Sequence, residues 1–160
     1  MGLPNWRVTV EAAGWAGDGL EFYIQHSNFL AYLVGLNVLS KPDASFYMVP
    51  GLADERHFSF LAQNYPDHYL RHEGFRLKLH KRSGDELFDQ DATFEITPGI
   101  AYTNIGPGIS FRSHNYPDRY LRYIGQPPNP VEIWADVYDA SNGDENYRMS
   151  FSFHTLRALG

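Results

Sequence analysis

Apolar and polar residues alternate along most of this chain. Phe75, Leu77 and Leu79 alternate with Arg76, Lys78 and His80, and Val131, Ile133, Ala135 and Val137 alternate with Glu132, Trp134, Asp136 and Tyr138. A period of two over short runs predicts half-buried antiparallel strands, because successive side chains in a strand point to opposite faces. Turn residues separate the runs: Pro66-Asp67, Ser83-Gly84, Pro127-Pro128 and Asn142-Gly143. No segment reads as a convincing amphipathic helix. Ala31 to Leu39 is apolar enough to tempt one, but its place in an internal repeat makes it strand. Asp85-Glu86 and Asp144-Glu145, each beside a glycine, read as solvated loop charge.

The repeat is carried by two words. Asn64-Tyr65-Pro66-Asp67-His68-Tyr69-Leu70-Arg71 recurs at Asn115 to Arg122 with seven of eight positions identical. Asp43-Ala44-Ser45-Phe46 recurs as Asp91-Ala92-Thr93-Phe94, and Pro50-Gly51-Leu52 and Pro98-Gly99-Ile100 follow at the same offset. Together the words define units of roughly fifty residues, such as solenoids, propellers and closed arrays use. The unit boundaries fall at 6–54, 55–106 and 107–160 of a single domain. The first unit is weaker, with Phe22, Ile24, Asn28-Phe29 and Tyr32-Leu33 in the corresponding places. The third opens well but closes poorly, with Met149-Ser150-Phe151 where Ala-x-Phe belongs. About four strands per unit make about twelve. Closing three units about an axis removes free strand edges and buries one core. The expected fold is therefore all-β, a β-trefoil. A β-sandwich is the alternative, but it does not account for three copies of one word.

Composition narrows the function. Aromatic residues reach 16%, and the formal net charge is −6. An acidic chain lacks the basic footprint that nucleic acid or an anionic membrane needs. No apolar run approaches the eighteen or so residues of a membrane span. There are no cysteines, so disulfides and thiolate chemistry are excluded. Met1 to Trp6 shows no basic stretch followed by an apolar one, so no signal peptide is expected there. A module cut from a secreted enzyme would read the same way.

The words Asn-Tyr-Pro-Asp-x-Tyr-Leu-Arg-His, Asp-Ala-Thr-Phe and Pro-Gly-Leu-Ala-Asp (Pro50 to Asp54) resemble the arabinofuranose-binding domain of α-L-arabinofuranosidase B, carbohydrate-binding module family 42. The resemblance runs from about Leu20 to Leu156. It implies a trefoil with up to three shallow pockets, one per repeat, each holding a terminal arabinofuranose of arabinoxylan or arabinan. It further implies an extracellular, monomeric module attached to a catalytic domain, with no cofactor. The family's pocket centres on the His that ends Tyr-Leu-Arg-His and the Asp that opens Asp-Ala-x-Phe. Both occur in the second unit as His72 and Asp91. The first unit keeps Asp43 but has Val34-Gly35 where Arg-His is expected; the third has Tyr123 for His and Arg148 for Asp. One intact pocket is expected, in the second unit. Gly74 stands where the family pattern has Asn.

These residue types suit a furanose. An ionised carboxylate accepts two strong hydrogen bonds from hydroxyls, and imidazole adds a donor or an acceptor. Phe75 or Tyr69 would wall the apolar face of the sugar. The Asn-Tyr-Pro-Asp word itself reads as a turn with core packing. His68 and His72 lie too far apart on a strand to share an ion, about 13 Å, so no metal is expected. A glycosidase needs two carboxylates about 5–10 Å apart across a cleft, and no such pair stands out. Two other readings stay open: an arabinofuranosidase in its own right, and a protein-interaction trefoil with decayed sugar sites.

Overall fold

A computed structural model describes residues 6–13, 21–103 and 106–157, and the side chains of these except 102, 103, 106 and 107. Residues 1–5, 14–20, 104–105 and 158–160 lie outside the described residues.

The fold is all-β. Among the described residues twelve strands run β1 (Trp6–Ala12), β2 (Phe22–Ser27), β3 (Leu30–Gly35), β4 (Phe46–Pro50), β5 (Phe58–Ala62), β6 (His68–Glu73), β7 (Arg76–Lys81), β8 (Phe94–Thr103), β9 (Gly106–Ser113), β10 (Arg119–Ile124), β11 (Val131–Val137) and β12 (Phe153–Arg157). Six of them pair antiparallel in a closed circuit: β1 with β4, β4 with β5, β5 with β8, β8 with β9, β9 with β12, and β12 with β1. The other six form the hairpins β2–β3, β6–β7 and β10–β11. One strand of each hairpin meets the other two: β3 with β7, β7 with β11, and β11 with β3. The inward positions of circuit and hairpins build one apolar core, with Phe46, Phe94 and Phe153 at the head of β4, β8 and β12 and none of them exposed.

Where the three hairpins meet, Arg76 is only 7% exposed. Its Nη1 donates to the carbonyls of Ala31 (2.6 Å), Leu77 (2.9 Å) and Ile133 (2.9 Å), one from each of β3, β7 and β11. The rings of Tyr32 and Trp134 flank its guanidinium at 4.9 and 5.9 Å. Burial lowers its pKa, with Glu132 opposing. Strict alternation would have put this arginine in water; the junction needs a donor more than it needs another apolar residue.

Two short helices depart from the sequence reading. α1 (Glu86–Asp91) and α2 (Glu145–Met149) are each capped by the aspartate before them. Asp85 accepts from Phe88 N at 2.7 Å, and Asp144 accepts from Asn146 N at 2.8 Å. The Asp-Glu pairs read as loop charge are helix starts, because a carboxylate satisfies the orphan amides of a first turn. Ala31 to Leu39 is strand to Gly35 and a 3-10 turn at Leu36–Val38.

Candidate functional site

Two hairpins share a turn of unusual shape. Asn28 and Phe29 have φ of 51° and 63°, and Gly74 and Phe75 have φ of 57° and 64°. Two consecutive left-handed residues make the primed turn that suits the twist of a two-residue hairpin. An aromatic residue in that region is uncommon. Both turns therefore hold a phenylalanine ring at a fixed place beside the end of the preceding strand, next to His26 and His72.

Around each histidine the same chain of contacts appears. His72 Nε2 lies 3.1 Å from Asn115 Oδ1, and Asn115 Nδ2 donates to Asp91 Oδ1 at 2.8 Å. His26 Nε2 lies 2.9 Å from Asn64 Oδ1, and Asn64 Nδ2 donates to Asp43 Oδ1 at 2.6 Å. An amide oxygen only accepts, so the hydrogen-bond network puts the imidazole proton on Nε2 in both places. The aspartates approach different edges of the two rings: His72 Nδ1 lies 3.6 Å from Asp91 Oδ1, whereas His26 Nε2 lies 3.7 Å from Asp43 Oδ1. Tyr116 stands edge-on to His72 at 5.6 Å and to Phe75 at 5.1 Å; Tyr65 stands edge-on to His26 and to Phe29, at 5.4 Å each.

This corrects the reading of the first unit. Its histidine is not missing: His26 on β2 holds the place that His72 holds on β6, whereas Val34-Gly35 belongs to the return strand β3. The turn is equivalent too, with Asn28 where Gly74 stands. The third unit needs a different correction. Phe153, not Phe151, opens the closing strand, so Ser150 rather than Arg148 falls where Asp43 and Asp91 stand, three residues before it. Asp144, a conceivable substitute, is committed to capping α2. Tyr123 takes the histidine's place, and beside it lies an open groove of about 990 Å³ lined in part by Phe22, Tyr123, Pro127, Tyr147 and Ser150.

The two complete sites differ in access. In the second unit, Arg71 Nη2 donates to Asp91 Oδ2 at 2.6 Å while Asn115 occupies the other oxygen. Asp91 is 5% and His72 2% exposed. Burial lowers the His72 pKa from its ordinary value, with Asp91 opposing. In the first unit, Gln25 stands where Arg71 would be, and its Oε1 accepts from Ser40 N instead. The Asp43 side chain is 33% exposed. His26, Ser27, Asn28, Phe29, Asp43 and Tyr65 line a cavity of about 180 Å³.

Of the residues expected from sequence, His72, Asp91 and Phe75 come together. Asp43 sits in the first site. Tyr69 does not join them: it lies two strand positions from Arg71, on the face of β6 opposite Leu70 and His72, where Arg82, Asp67 and Asp89 are its charged neighbours. The ring that stands beside His72 and Phe75 is Tyr116. The Asn-Tyr word is accordingly more than a turn. Asn64 and Tyr65 complete the first site, and Asn115 and Tyr116 complete the second. Each copy serves the unit before it, which is why it persists in the third unit although that unit's own site is altered.

Comparison with known proteins identifies the family and the fold. The sequence profile of the Alpha-L-arabinofuranosidase B (ABFB) domain matches residues 19–154. The chain is 39% identical over 103 residues to the arabinofuranosidase/B-xylosidase of Trichoderma koningii, covering 64% of this chain and 18% of that one. It is 34% identical over 120 residues to the probable alpha-L-arabinofuranosidase B of Aspergillus clavatus, covering 75% and 20%. The chain thus spans about a fifth of the length of these relatives. A GH54 α-L-arabinofuranosidase soaked with a cyclic sulfate inhibitor superposes with a TM-score of 0.80 at 25% identity, over 99% of this chain and 32% of that one. An arabinofuranosidase complexed with arabinofuranosyl-α-1,2-xylobiose superposes at 0.79, also at 25% identity, over 99% and 32%. The Haemophilus ducreyi cytolethal distending toxin, at 0.67 and 16% identity over 96% and 84%, shares the fold alone. With the profile covering most of the chain, the chain belongs to the α-L-arabinofuranosidase B (ABFB) domain family.

Proposed function

We propose that this chain is a single, non-catalytic carbohydrate-binding domain of β-trefoil build that reads terminal arabinofuranose side chains of arabinoxylan or arabinan. The closed strand circuit and the three meeting hairpins support the trefoil assignment. One observation carries the function: the same His–Asn–Asp chain of hydrogen bonds, with an aromatic pair beside it, is built twice from different residues. A core needs no such duplication of buried polar groups, which cost free energy unless fully paired.

The first site is the primary pocket. Its cavity admits a ligand, Asp43 retains an accepting oxygen toward solvent, and Phe29 and Tyr65 offer aromatic faces. The second site, His72, Asp91 and Phe75 with Asn115 and Tyr116, binds more weakly, because Arg71 already holds Asp91. Each site presents one carboxylate, whereas glycoside hydrolysis uses two. The chemistry of hydrolysis would belong to the remainder of a longer, extracellular enzyme, which this domain holds on hemicellulose as a monomer. Two pockets on one polymer raise avidity without new contacts.

Affinity electrophoresis in gels containing arabinoxylan, arabinan or unsubstituted xylan tests the reading. Retardation by the arabinose-bearing polymers alone, competed by free arabinose and reduced to the weaker second site in Asp43→Ala, is expected. The groove beside Tyr123 favours a second reading, a protein-interaction domain. Absence of retardation by every arabinose-bearing polymer would put that reading first.

A further inference from the structure

Away from both sugar sites, three metal-ligating side chains converge from two turns. Asp54 and His57 lie in the turn between β4 and β5, and His114 lies just after β9. A carboxylate oxygen and two imidazole nitrogens, one from each residue, all lie within 4.8 Å of one another, and all three residues are half-buried. Asp54 Oδ2 is 3.7 Å from His57 Nε2, and the two imidazole rings are 6.0 Å apart. Bonds of about 2.0–2.2 Å from zinc to nitrogen and oxygen place ligand atoms on one ion about 3–4 Å apart. Small side-chain rotations close the difference.

The backbone holds these residues in place. Gly51 N donates to His57 O at 2.9 Å, and His57 N donates to Asp54 O at 3.0 Å. A Cβ on Gly51 would come within 2.4 Å of Asp54 O and 2.7 Å of Thr93 Cγ2, so the tight turn depends on that glycine. Thr93 ties the two turns together: its Oγ1 accepts from Ala53 N at 3.0 Å, and its carbonyl accepts from His114 N at 3.1 Å. Ligands held by fixed backbone before the ion arrives are what a binding site needs. The competitor is Arg56, which grips Asp54 with a two-point fork: Nε donates to Oδ1 at 3.0 Å and Nη2 to Oδ2 at 2.7 Å, and its backbone N also donates to Oδ1 at 3.0 Å, while its side chain is 82% exposed. An incoming ion must displace the guanidinium from Oδ2, and the exposure of the arginine leaves it free to swing into water.

We propose that Asp54, His57 and His114 form a binding site for a divalent transition metal of the zinc class, bound with its remaining positions open to water. Two imidazoles and one carboxylate select such ions over magnesium and calcium, which prefer an all-oxygen shell. The ion would staple the β4–β5 turn to the β9–β10 turn. The site does not depend on the sugar-binding reading.

Calorimetric titration of EDTA-treated protein with zinc chloride, with magnesium chloride as control, tests it. One zinc per chain and no magnesium are expected. Loss of a partner that merely orients a ligand weakens metal binding about 10–100-fold, so His114→Ala, which removes a ligand, should weaken zinc binding at least tenfold while leaving the metal-free melting temperature unchanged. Arg56→Ala should tighten it by releasing Asp54. Zinc should raise the melting temperature of the wild type but not of His114→Ala. Absence of saturable zinc binding, equal affinity in His114→Ala, or weaker binding in Arg56→Ala would overturn the assignment.

Discussion

Replacing Arg76 by methionine isolates the interaction that joins the three hairpins. The side chain keeps much of its length, but the donor to the carbonyls of Ala31, Leu77 and Ile133 is gone. Those acceptors are backbone and cannot be substituted away, so the usual remedy of a buried polar group, replacing both partners by apolar ones, does not apply. A hydrogen bond to a charged group is worth about 1.5–3 kcal/mol, and the two protons of Nη1 shared among three carbonyls put the gross loss at about 3–6 kcal/mol. Methionine also escapes the desolvation that lowers the arginine's pKa, and that relief offsets part of the loss. A net cost of about 3 kcal/mol remains. At about 2–4 °C per kcal/mol for a domain of this size, Tm should fall by about 6–12 °C. Thermal denaturation followed by near-UV circular dichroism measures it. Arg76→Lys, with one ammonium in place of the planar fork, should fall in between. A Tm for Arg76→Met within about 2 °C of the wild type would refute the reasoning, since the carbonyls would then be satisfied without the cation.

Asp43→Ala should leave only the weaker arabinose-dependent binding of the second site, with little change in Tm, because the carboxylate is partly in water and gives up little beyond its bond from Asn64. Asp91→Ala should instead cost about 3 kcal/mol, because it takes from the mostly buried Arg71 its 2.6 Å partner and leaves it only the half-exposed Glu73 carboxylate at 3.5 Å; if the two variants melt alike, Asp91 is not the structural member of the pair. His72 is held below its ordinary pKa by burial, so the unfolded chain takes up its proton first as pH falls. Its stabilising contribution is present above about pH 6.5 and drains away below it; melting curves of the wild type should lose more between pH 7 and 5 than those of His72→Gln, and parallel losses would count against this. Asp85→Ala removes the cap on α1 and should lower stability by about 1 kcal/mol; an unchanged denaturant midpoint would mean the first turn finds another partner.

Much of this architecture was legible in the chain. The period-two runs became strands, and the heads of β4 and β8 were visible as Phe46 and Phe94 in their repeated word. What misled was register. His26 could not be matched to His72 by eye, because Gln25-His26 lacks the Tyr-Leu-Arg that marks the second unit. The signal that could have found it was the turn: Asn28-Phe29 against Gly74-Phe75, each two residues after a histidine. Asn115 and Tyr116 were legible as a repeat but not as site residues, since partners across a unit boundary have no fixed spacing. The same holds for His57 and His114, which meet only through the pairing of β5 and β9 with β8. Tyr69 failed for a simpler reason: three positions along a strand change the face.

The pairing of β1 with β12, Val8 opposite Arg157, sets the timetable of folding. Within this domain β1 must wait for β12, so no fragment of the domain that lacks β12 can close the circuit. Hairpins can form as they emerge, but the core stays open on one side until β12 has been made. Folding of such a chain is slow for its size, since the contacts that complete it are the most distant in sequence. Unfolding should begin at the same seam.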